Sequence, residues 1–461
     1  MKLDTSFRMT SVHHSQLMAH LFPGDGREAV AIAVCGQSRG PTRETLIVQQ
    51  VEPIPYSICR RAPDSITWPT EYIVPLLNKA ADQDLHLVKI HSHPGGFAEF
   101  SQQDDRSDRS LFPFISEWMG RSGANGSVVV LPGGRMFGRA VDSCGAFRPL
   151  SCIAVTGDDL SFWHPDLIDV APEFAMRHAQ LFGGGTSARI RRLRIGIVGC
   201  SGTGSIVALQ LAHLGIGRLV LIDPDRVEEK NLNRIPGATM NDALLQAFKV
   251  DVAKRYIEAL SLGTVVSAIP SDLGTASAVR AIAECDIVFG CMDGAEGRHL
   301  LNRIATFYLL PYFDLGVRLD ADGYGGVEQV CGTVHYLQPG GSSLLSRGVF
   351  TLEEVRAEGL KRTDPEVYRE QVRSKYIVGV SEDRPAVISV NMQIASMAVN
   401  ELLARLHPFR DEPNSEYAAC RLSIKHGQMF NERDGGACPL LTRHAGRGDV
   451  KPLLDRPDLS E

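Results

Sequence analysis

Two histidines, a serine and an aspartate capable of metal chemistry stand close together in the stretch HSHPGGFAEFSQQDD, residues 91–105. Side chains two residues apart on a strand share one face, so His91 and His93 are expected to present their rings side by side, as a pair of zinc ligands. A proline ends the strand and lets the chain turn back, which makes Asp104 the expected oxygen ligand. Three protein ligands leave one position for water, as is typical of catalytic zinc, and Ser101 can then donate a hydrogen bond to an oxyanion.

A second stretch, RLRIGIVGCSGTGSIVALQLAHLG, predicts a strand, a glycine-rich turn and a helix. Such a turn lets backbone N–H groups approach a phosphate at the helix N-terminus. The strict dinucleotide pattern has glycine where this chain has Ser201, and the acid that ends the next strand, Asp223, is followed by Asn231 and Arg234. An acid at that strand end can hold a ribose, whereas a nicotinamide-dependent enzyme has no use for the Asn–Arg pair. A nucleotide site is therefore expected, with a Rossmann-type dehydrogenase as the alternative.

The elements that must position these residues show two patterns. In the first part of the chain the expected strands are residues 28–36, 44–55 and 85–94, followed by a hairpin around Gly133 and Gly134. From Pro172 onward strands alternate with helices, which predicts a parallel, doubly wound sheet. The expected divisions are domains at 1–155 and 172–445, a connector at 156–171, and a polar, frayed tail at 446–461.

The composition is that of a folded protein in a reducing compartment. Its 461 residues are too many for one ordinary core, and 44% apolar with 22% charged residues is usual for globular chains. The net charge of −6 disfavours nucleic acid as the main partner. No apolar run reaches the length of a membrane span, and the N-terminus MKLDTSFRMTSVHHSQ lacks the apolar core of a signal peptide. The ten cysteines lack the spacing of a disulfide scaffold, which predicts a reduced, cytoplasmic protein.

The spacing His-x-His-Pro-x6-Ser-x-x-Asp closely resembles the JAMM motif of the JAB/MPN metalloprotease family, which includes zinc isopeptidases that remove ubiquitin. The resemblance implies a mixed α/β metalloprotease domain with zinc on the same two histidines and on Asp104. It also implies a general-base glutamate on an early strand, and Glu28 stands at that position. A surface loop with incidental histidines and a JAB-like fold without activity are the alternatives. Asp105 and Asp108 are expected to be solvated loop acids rather than ligands.

The glycine-rich stretch and the residues after it resemble the ThiF/MoeB/HesA family, the adenylation domain of ubiquitin-activating-type enzymes, over roughly residues 172 to 442. The positions that match the family pattern are Gly199, Gly202, Gly204, Asp223, Asn231, Arg234, Lys249 and Asp293. The resemblance implies a Rossmann-like adenylation domain that binds ATP and magnesium. It implies that Asp223 holds the ribose, that Arg234 and Lys249 hold the phosphates, and that Asp293 holds the magnesium ion.

The same resemblance implies a homodimer, because the family supplies each ATP site with an arginine from the partner protomer. Arg177, upstream of the first strand of the domain, is the best match. The stretch VISVNMQIASMAVNELLARL, residues 387–406, predicts a helix that is apolar nearly all round. Such a helix is expected to be buried on most sides.

The chain departs from the family at the positions of a structural zinc site. Many relatives carry that zinc on two Cys-x-x-Cys pairs, whereas this chain has Ser343 and Ser346 at the first pair and only Cys438 at the second. Hydroxyls are poor zinc ligands beside thiolates, so no structural zinc is expected there. The residues expected to hold these loops by packing are Leu344, Leu345 and Leu440.

A second departure concerns acyl transfer. Relatives that form a thioester place a cysteine on a mobile segment, and residues 347–384 contain none. The cysteines expected in small core positions or in strands are Cys200, Cys285, Cys291, Cys331 and Cys420. A thioester step is therefore disfavoured, and the adenylate is expected to pass directly to a partner's nucleophile, with Ser343 or Ser381 as possible serine acceptors.

The two resemblances together predict one bifunctional enzyme of a bacterial ubiquitin-like modification system. The adenylation domain would activate the C-terminal glycine of a ubiquitin-like protein, and the JAB domain would cleave after that glycine, to process a precursor or to remove the modifier. The expected partners are that ubiquitin-like protein and a conjugating enzyme or acceptor protein. The alternatives are an activator of a sulfur-carrier protein in cofactor synthesis, which the missing loop cysteine disfavours, and a non-catalytic scaffold with relic sites, which the retained ligands disfavour.

Overall fold

A computed structural model describes residues 4–120, 124–168, 170–373 and 385–459. The chain divides into two compact units. The first unit comprises Met1–Leu167, Phe307–Leu309 and His444–Lys451, and the second comprises Ile168–Thr306, Leu310–Arg443 and Pro452–Glu461.

The first unit is built on a mixed sheet. Its strands are β1 (Asp4–Thr10), β2 (Val30–Arg39), β3 (Arg43–Pro53), β4 (Arg60–Ala62), β5 (Ser65–Thr67), β6 (His86–Ser92), β7 (Asn125–Val130), β8 (Met136–Val141), β9 (Phe147–Pro149), β10 (Cys152–Thr156) and β11 (Leu160–Trp163). Its helices are α1 (Ser11–Leu21), α2 (Val74–Asp82) and α3 (Gln102–Trp118). Within the described residues, nine strands pair in the order β11-β10-β1-β3-β2-β6-β7-β8-β9, and β4 and β5 form a separate hairpin. The expected mixed α/β fold is confirmed.

The sheet of the first unit is buried on both faces, which explains why its central strands are apolar runs rather than alternating sequences. In β2, Ala31 and Ala33 pack into a cluster with Leu17 and Leu21 of α1. The intervening residues of β2, Ile32 among them, pack on the opposite face in a cluster that includes residues of α2 and α3. One face therefore carries α1 and the other carries α2 and α3.

The strand and helix that carry the expected metal ligands are central to this arrangement. β6 pairs antiparallel with β2, with Val30 opposite His91, and parallel with β7, with His91 opposite Val129. All seven residues of β6 are buried. Helix α3 begins at the N-cap Ser101, whose side chain accepts a hydrogen bond from the backbone N–H of Asp104 in a capping box.

Two expected boundaries of the first unit are wrong. Residues 156–163 are not a connector, because β11 pairs antiparallel with β10 and extends the sheet. The expected frayed tail at 446–461 is also wrong over its described residues. The Asp449 N–H donates to the carbonyl of Gln37 at 2.7 Å, and Leu453 and Leu454 are buried. Apolar side chains in an otherwise polar stretch give this segment surface to bury, which composition alone hides.

The second unit contains the alternating pattern. Its strands are β12 (Arg194–Val198), β13 (Arg218–Ile222), β14 (Val265–Ile269), β15 (Ile287–Gly290), β16 (Tyr312–Ala321), β17 (Val327–Leu337), β18 (Ala419–Ser423) and β19 (Gln428–Glu432). Its helices are α4 (Met176–Phe182), α5 (Gly184–Ile190), α6 (Gly204–His213), α7 (Met240–Leu244), α8 (Lys249–Ala259), α9 (Ala276–Ala283), α10 (Ala295–Phe307), α11 (Leu352–Thr363), α12 (Pro365–Arg373) and α13 (Ile388–Leu406).

The described strands of the second unit pair in the order β14-β13-β12-β15-β16-β17-β18-β19. The pairs from β14 through β16 are parallel, and those from β16 through β19 are antiparallel. The chain moves outward from β12 to β14 and then returns to the other side of β12 with β15. This reversal is the topological switch point at which doubly wound sheets bind ligands, so the Rossmann-like expectation is confirmed.

Helix α13 differs in part from the expectation of burial on most sides. Residues 401–406, in its last turns, are buried, and the helix packs on α6, β16 and β17. At its start, however, Val387 and Met392 are 48% and 41% exposed. Burial on most sides therefore holds in the last turns, whereas the first turns are buried on one side only, at Val390, Asn391 and Ile394.

Among the described residues, no helix combines the length and apolar character that crossing a membrane requires.

Candidate functional site

His91, in β6, and His93, directly after the end of β6, come together in the first unit. Both side chains are buried, and their Nε2 atoms lie 3.2 Å apart. The Nδ1 atom of His93 lies 2.8 Å from the carbonyl oxygen of Phe97. A hydrogen bond from Nδ1–H to that carbonyl fixes the tautomer and leaves Nε2 with a free lone pair, as in metal-binding histidines.

Asp104 completes the cluster from the first turn of α3. Its Oδ1 lies 2.9 Å from Nε2 of His91, and its Oδ2 lies 3.5 Å from Nε2 of His93. The backbone N–H and the hydroxyl of Ser101 both donate to Oδ2, at 2.8 and 2.7 Å. In this arrangement Ser101 orients the carboxylate, so its role as an oxyanion donor stays a prediction.

The three side chains fit a zinc ion. One ligand atom from each of His91, His93 and Asp104 lies within 4.8 Å of the other two, and this is the cluster of potential metal ligands that the described residues contain. Two imidazoles and one carboxylate with a fourth side open match a catalytic rather than a structural zinc centre. The sequence expectation for the ligand set therefore agrees with the geometry.

The electrostatics of the cluster favour metal-binding protonation states in two of its three members. Burial lowers the pKa of His91, which keeps its imidazole neutral. Burial opposes ionisation of Asp104, but hydrogen bonds from His91 and His93 outweigh it and hold the pKa of that carboxyl well below its usual range. The pKa of His93 is raised, because its contacts with Asp104 and the Phe97 carbonyl outweigh the effect of burial.

Glu28 lies beside the cluster, just before β2. Its backbone N–H donates to the carbonyl of Ala62 at 2.8 Å, and its own carbonyl accepts from Nε of Arg61 at 2.7 Å, so the β4–β5 hairpin fixes its position. Its Oε1 lies 3.9 Å from Nε2 of His93. Burial, with the nearby charge of Asp104, raises the pKa of Glu28 to about 7 although His93 opposes the shift. A carboxyl with such a pKa can take up and release a proton near neutral pH.

Glu28, His91 and Asp104 line a cleft with about 330 Å³ of empty space, part of it open to solvent. One wall is the β4–β5 region, with Asp64, Ile66 and Trp68, and the other is α3, with Gln103 and Ser107. Sequence reasoning missed this hairpin because its strands are three residues long and polar.

The expectation that Asp105 and Asp108 are solvated loop acids is wrong. Both lie in α3, and Asp108 is fully buried in ion pairs with Lys89 and Arg139. A polar stretch in the sequence resembled a loop, but the capping box at its start makes it the first turns of a helix.

In the second unit, the expected nucleotide residues gather where parallel strands end. Val198 of β12 is in register with Ile222 of β13 and with Gly290 of β15. Gly199 has a φ of 90°, and a Cβ there would lie 2.6 Å from the carbonyl oxygen of Cys291. A Cβ on Gly204 would lie 1.8 Å from the carbonyl oxygen of Gly199. The tight turn therefore requires both glycines, and it brings the start of α6 to the sheet edge.

Asp223 and Lys249 lie beside the glycine-rich turn at this edge of the sheet. The carboxylate of Asp223 is buried and accepts hydrogen bonds from the N–H groups of Cys200 at 2.6 Å and Asp225 at 2.8 Å. Burial raises the pKa of Asp223, with Lys249 opposing the shift. The Nζ of Lys249 lies 2.6 Å from Oδ2 of Asp225.

Asn231, Arg234 and Asn391 surround the turn. Asn231 is buried, and its side-chain oxygen accepts from the Glu228 N–H at 3.0 Å, which shapes the loop that carries Arg234. A Cβ on Gly202 would lie 2.9 Å from Cδ of Arg234 and 2.3 Å from Nδ2 of Asn391. Sequence reasoning missed Asn391, although a buried amide near the start of an apolar helix is a usable signal.

Two other residues expected in this site, Asp293 and Arg177, have no described contact with the turn that would test their expected roles. Asp293 is exposed between β15 and α10, at the same strand edge. Arg177 is exposed in α4. Both roles stay predictions, and Ser381 lies outside the described residues.

The positions of the absent Cys-x-x-Cys pairs meet in space. The Ser343 hydroxyl donates to Sγ of Cys438 at 3.1 Å and lies 3.4 Å from the Ser346 hydroxyl. Leu344 is buried as expected, but the expectation for Leu440 is wrong, because it is 45% exposed and Leu441 packs inward instead. Hydrogen bonds therefore join these loops, together with packing by Leu344, as expected, and by Leu441 in place of Leu440.

The cysteines beside the nucleotide turn have the expected small core positions. Cys200 and Cys285 are fully buried, and Cys291 is partly buried. Burial raises the pKa of Cys200 and of Cys291, so neither thiol is readily ionised. Cys331 lies in β17 and Cys420 in β18, as expected.

A doubly wound sheet with a glycine-rich turn at its switch point, joined to a mixed sheet with a His-His-Asp cluster, defines a two-part protein. The ThiF family model matches residues 175–438, and the model for prokaryotic homologs of the JAB domain matches residues 10–137. The chain belongs to the ThiF family and carries a JAB region ahead of it.

Two curated proteins illustrate the similarity. "Adenylyltransferase and sulfurtransferase UBA4" of Candida albicans is 30% identical over 137 residues, which is 30% of this chain and 29% of that protein. "Ubiquitin-like modifier-activating enzyme 5" of Oryza sativa subsp. japonica is 33% identical over 162 residues, which is 33% of this chain and 37% of that protein. The chain thus spans about a third of the length of such relatives. Among solved structures, E. coli MccB with ATP aligns at 18% identity and a TM-score of 0.43, over 59% of this chain and 74% of that one.

The metal cluster makes a direct prediction about zinc. The full chain should bind about one zinc ion, and His93→Ala should reduce both zinc content and affinity, because it removes one of three protein ligands. His213→Ala, which changes an exposed histidine at the end of α6, should bind zinc as the wild type does. Metal analysis and competition with a chelator measure both quantities. Equal zinc affinity in the two variants would contradict the ligand assignment.

Proposed function

We propose that this protein is a bifunctional enzyme of a ubiquitin-like modification system. Its second unit adenylates the C-terminal carboxylate of a ubiquitin-like protein with ATP and releases pyrophosphate. Its first unit hydrolyses the acyl bond after that same C-terminal residue, to process a precursor or to remove the modifier. The observation that carries the proposal is the cluster of His91, His93 and Asp104, with Glu28 beside it, in a chain that also belongs to the ThiF family.

In the adenylation reaction, a carboxylate oxygen of the ubiquitin-like protein attacks the α-phosphorus of ATP. A bond forms to that phosphorus as the bond to the leaving pyrophosphate breaks. Negative charge grows on the phosphates, and positioned cations lower the free energy of that transition state. Arg234 and Lys249 have this role in the proposal, Asp293 holds the magnesium ion, and Asp223 faces the ribose. The edge positions of these residues support the assignment, since ligands of doubly wound sheets bind there.

In the hydrolysis reaction, His91, His93 and Asp104 would hold a zinc ion, which would supply Lewis acidity to lower the pKa of a bound water. Glu28 accepts the proton of the attacking water and transfers it to the leaving amine. Burial, which raises the pKa of Glu28, favours its uptake of that proton. Ser101 keeps Asp104 oriented through its two hydrogen bonds to Oδ2.

The relation between the two reactions explains why one chain would contain both. One makes an activated acyl bond at a carboxylate and the other hydrolyses an acyl bond at the same position, so both require recognition of one C-terminal tail. A conjugating enzyme or an acceptor protein would then receive the activated tail. The buried cysteines beside the nucleotide turn, with raised pKa values, are poor nucleophiles, which favours direct transfer to that partner.

A second candidate is activation of a sulfur-carrier protein. The name of the Candida albicans relative, an adenylyltransferase and sulfurtransferase, favours it, whereas the lack of cysteine in residues 347–384 opposes it. The two candidates share the adenylate and differ in the product. Mass spectrometry of the carrier protein after reaction separates them, because a thiocarboxylate replaces one oxygen by sulfur.

The adenylation assignment predicts the behaviour of pyrophosphate exchange with a cognate ubiquitin-like protein. Asp293→Ala should lower the exchange rate at least about 100-fold, because the proposed magnesium ligand is lost, while the protein stays folded, because Asp293 is exposed. Asp411→Ala, an exposed carboxylate in the loop after α13, should exchange normally. An active, folded Asp293→Ala protein would remove the magnesium role.

The hydrolase assignment predicts a separation of metal binding from catalysis. Glu28→Gln should keep zinc but lower cleavage about 10²- to 10⁴-fold, because the general base is lost and no ligand is. The substrate is a candidate ubiquitin-like protein fused through its C-terminal glycine to a reporter. Glu71→Gln, at an exposed position, is the matched control. Cleavage at the wild-type rate by Glu28→Gln would contradict the base assignment, and pyrophosphate exchange should be unchanged in both.

We further propose a homodimer in which Arg177 reaches the ATP site of the partner protomer. The exposure of this side chain in α4 leaves it available for such a contact. Mixing Arg177→Ala with Asp293→Ala protomers should restore one working site per heterodimer, because each chain supplies what the other lacks. The mixture would stay inactive if the arginine acted within its own protomer. Light scattering that shows an active monomer would also overturn this arrangement.

A further inference from the structure

The two elements that carry the metal ligands share a second contact that zinc binding does not use. Lys89 stands two residues before His91 on β6, and Asp108 stands four residues after Asp104 on α3. Nζ of Lys89 and Oδ1 of Asp108 form an ion pair. Asp108 is fully buried and Lys89 is 5% exposed, so this pair lies inside the protein rather than on its surface.

The two contacts, His91 with Asp104 and Lys89 with Asp108, follow one another along the interface between β6 and α3, and each is termed a rung. Four residues along a helix advance about 6 Å, and two residues along a strand advance about 6.6 Å. Because these steps match, the contact of His91 with Asp104 at 2.9 Å and the pair of Lys89 with Asp108 can form together. A slide of α3 along β6 would break both rungs at once. The pair therefore fixes the register in which the Asp104 carboxylate meets the histidines.

Arg139 of β8 holds Asp108 from the other side. Its Nε and one terminal nitrogen donate to Oδ2 of Asp108 at 3.1 and 2.7 Å, and it also pairs with Asp105. Its guanidinium lies 3.8 Å from the ring centroid of Phe100 and 3.7 Å from that of Phe147. Phe100 directly precedes the N-cap of α3, so Arg139 is stacked against the entry to the helix as well as bonded to its second turn.

The charges of this network balance. Lys89 and Arg139 contribute two positive charges, and Asp105 and Asp108 contribute two negative ones. Removing the charge of Asp108 alone would take away the acid that Lys89 and Arg139 share and leave Asp105 as the remaining acid of the network. An uncompensated buried charge is strongly unfavourable, so the helix would move or water would enter. Either response displaces Asp104, which lies one turn away on the same face.

We propose that Asp108 is a positioning residue of the metal centre, which sets the register of α3 against β6 through Lys89 and Arg139 and so places the Asp104 carboxylate. It acts through the helix and not by contact with a ligand atom. The inference rests on the proposed zinc site. It adds a buried ion network, none of whose members is a proposed zinc ligand, as a second determinant of zinc affinity beside the three ligands.

The test is zinc competition with a chromophoric chelator, together with the visible absorption spectrum of the Co²⁺-substituted full chain. Asp108→Asn should weaken zinc binding about 10- to 100-fold, the range found when groups that orient metal ligands are changed. Its Co²⁺ bands should also shift, because the Asp104 oxygen moves. Ile115→Ala, a buried change on the same helix, is the control for a loss of stability alone. It should keep the affinity and the spectrum of the wild type at temperatures where it is folded.

Asp105→Asn is a second control, since Asp105 shares the contact with Arg139 but has no contact with Lys89 in this network. It should bind zinc within about twofold of the wild type, because its carboxylate is partly exposed and its loss leaves little charge unpaired. If Asp108→Asn does not fold, Lys89→Met removes the strand side of the rung while Arg139 still pairs with Asp108. Weaker zinc binding by Lys89→Met would then support the inference.

The outcomes that would overturn the inference are distinct from failure of the proposed function. If the wild type binds zinc and Asp108→Asn binds it equally well, the positioning role is wrong and the zinc site stands. If Ile115→Ala loses zinc as Asp108→Asn does, the effect is one of stability and the inference also fails. If the wild type itself binds no zinc, the proposed hydrolase function fails, and the inference falls with it.

Discussion

The carboxylate of Asp104 is the single group on which the site of the first unit depends. It belongs to the capping box that starts α3, and it also contacts both His91 and His93. A short-range interaction that begins a helix and a long-range interaction that assembles the cluster of potential metal ligands therefore use the same side chain. Because Ser101 supplies two of its hydrogen bonds, the carboxylate is oriented before any metal binds. Such preorganisation lowers the cost of binding an ion at this position.

The second unit depends on a different constraint, the close approach of backbone segments at the ends of parallel strands. Gly199 and Gly204 leave room for the carbonyl oxygens of Cys291 and Gly199, which a larger residue would displace. The buried carboxylate of Asp223 then accepts two backbone N–H groups and ties the turn to the next strand. Asp223, which is expected to bind the nucleotide, therefore also stabilises the conformation of the glycine-rich turn.

Much of this arrangement could be predicted from the sequence, because local spacing determines it. Strand periodicity predicts that His91 and His93 share one face. The turn after Pro94 predicts that Asp104 returns to them. Asp108 could not be assigned, because its partners Lys89 and Arg139 lie on strands that only the folded sheet brings together. Asn391 was missed for the same reason, since it is distant in sequence from the Gly202 turn that it contacts. Spacing alone predicted residues with local partners, and the family resemblance was needed for Glu28, whose partner His93 is distant in sequence.

The loops that carry Ser343, Ser346 and Cys438 are joined without four thiolate ligands. A tetrahedral metal would hold such loops through four thiolates, but here a hydroxyl-to-thiol hydrogen bond joins them and Leu441 fills the fourth position. Arg347 reinforces them by donating to the carbonyl oxygens of Tyr336 and Ala418 at 2.9 and 2.7 Å. A buried arginine with several acceptors can replace a metal as the centre of a polar network, provided that its hydrogen bonds are satisfied. Hydrogen bonds and packing by Leu441 therefore hold these loops of the second unit together.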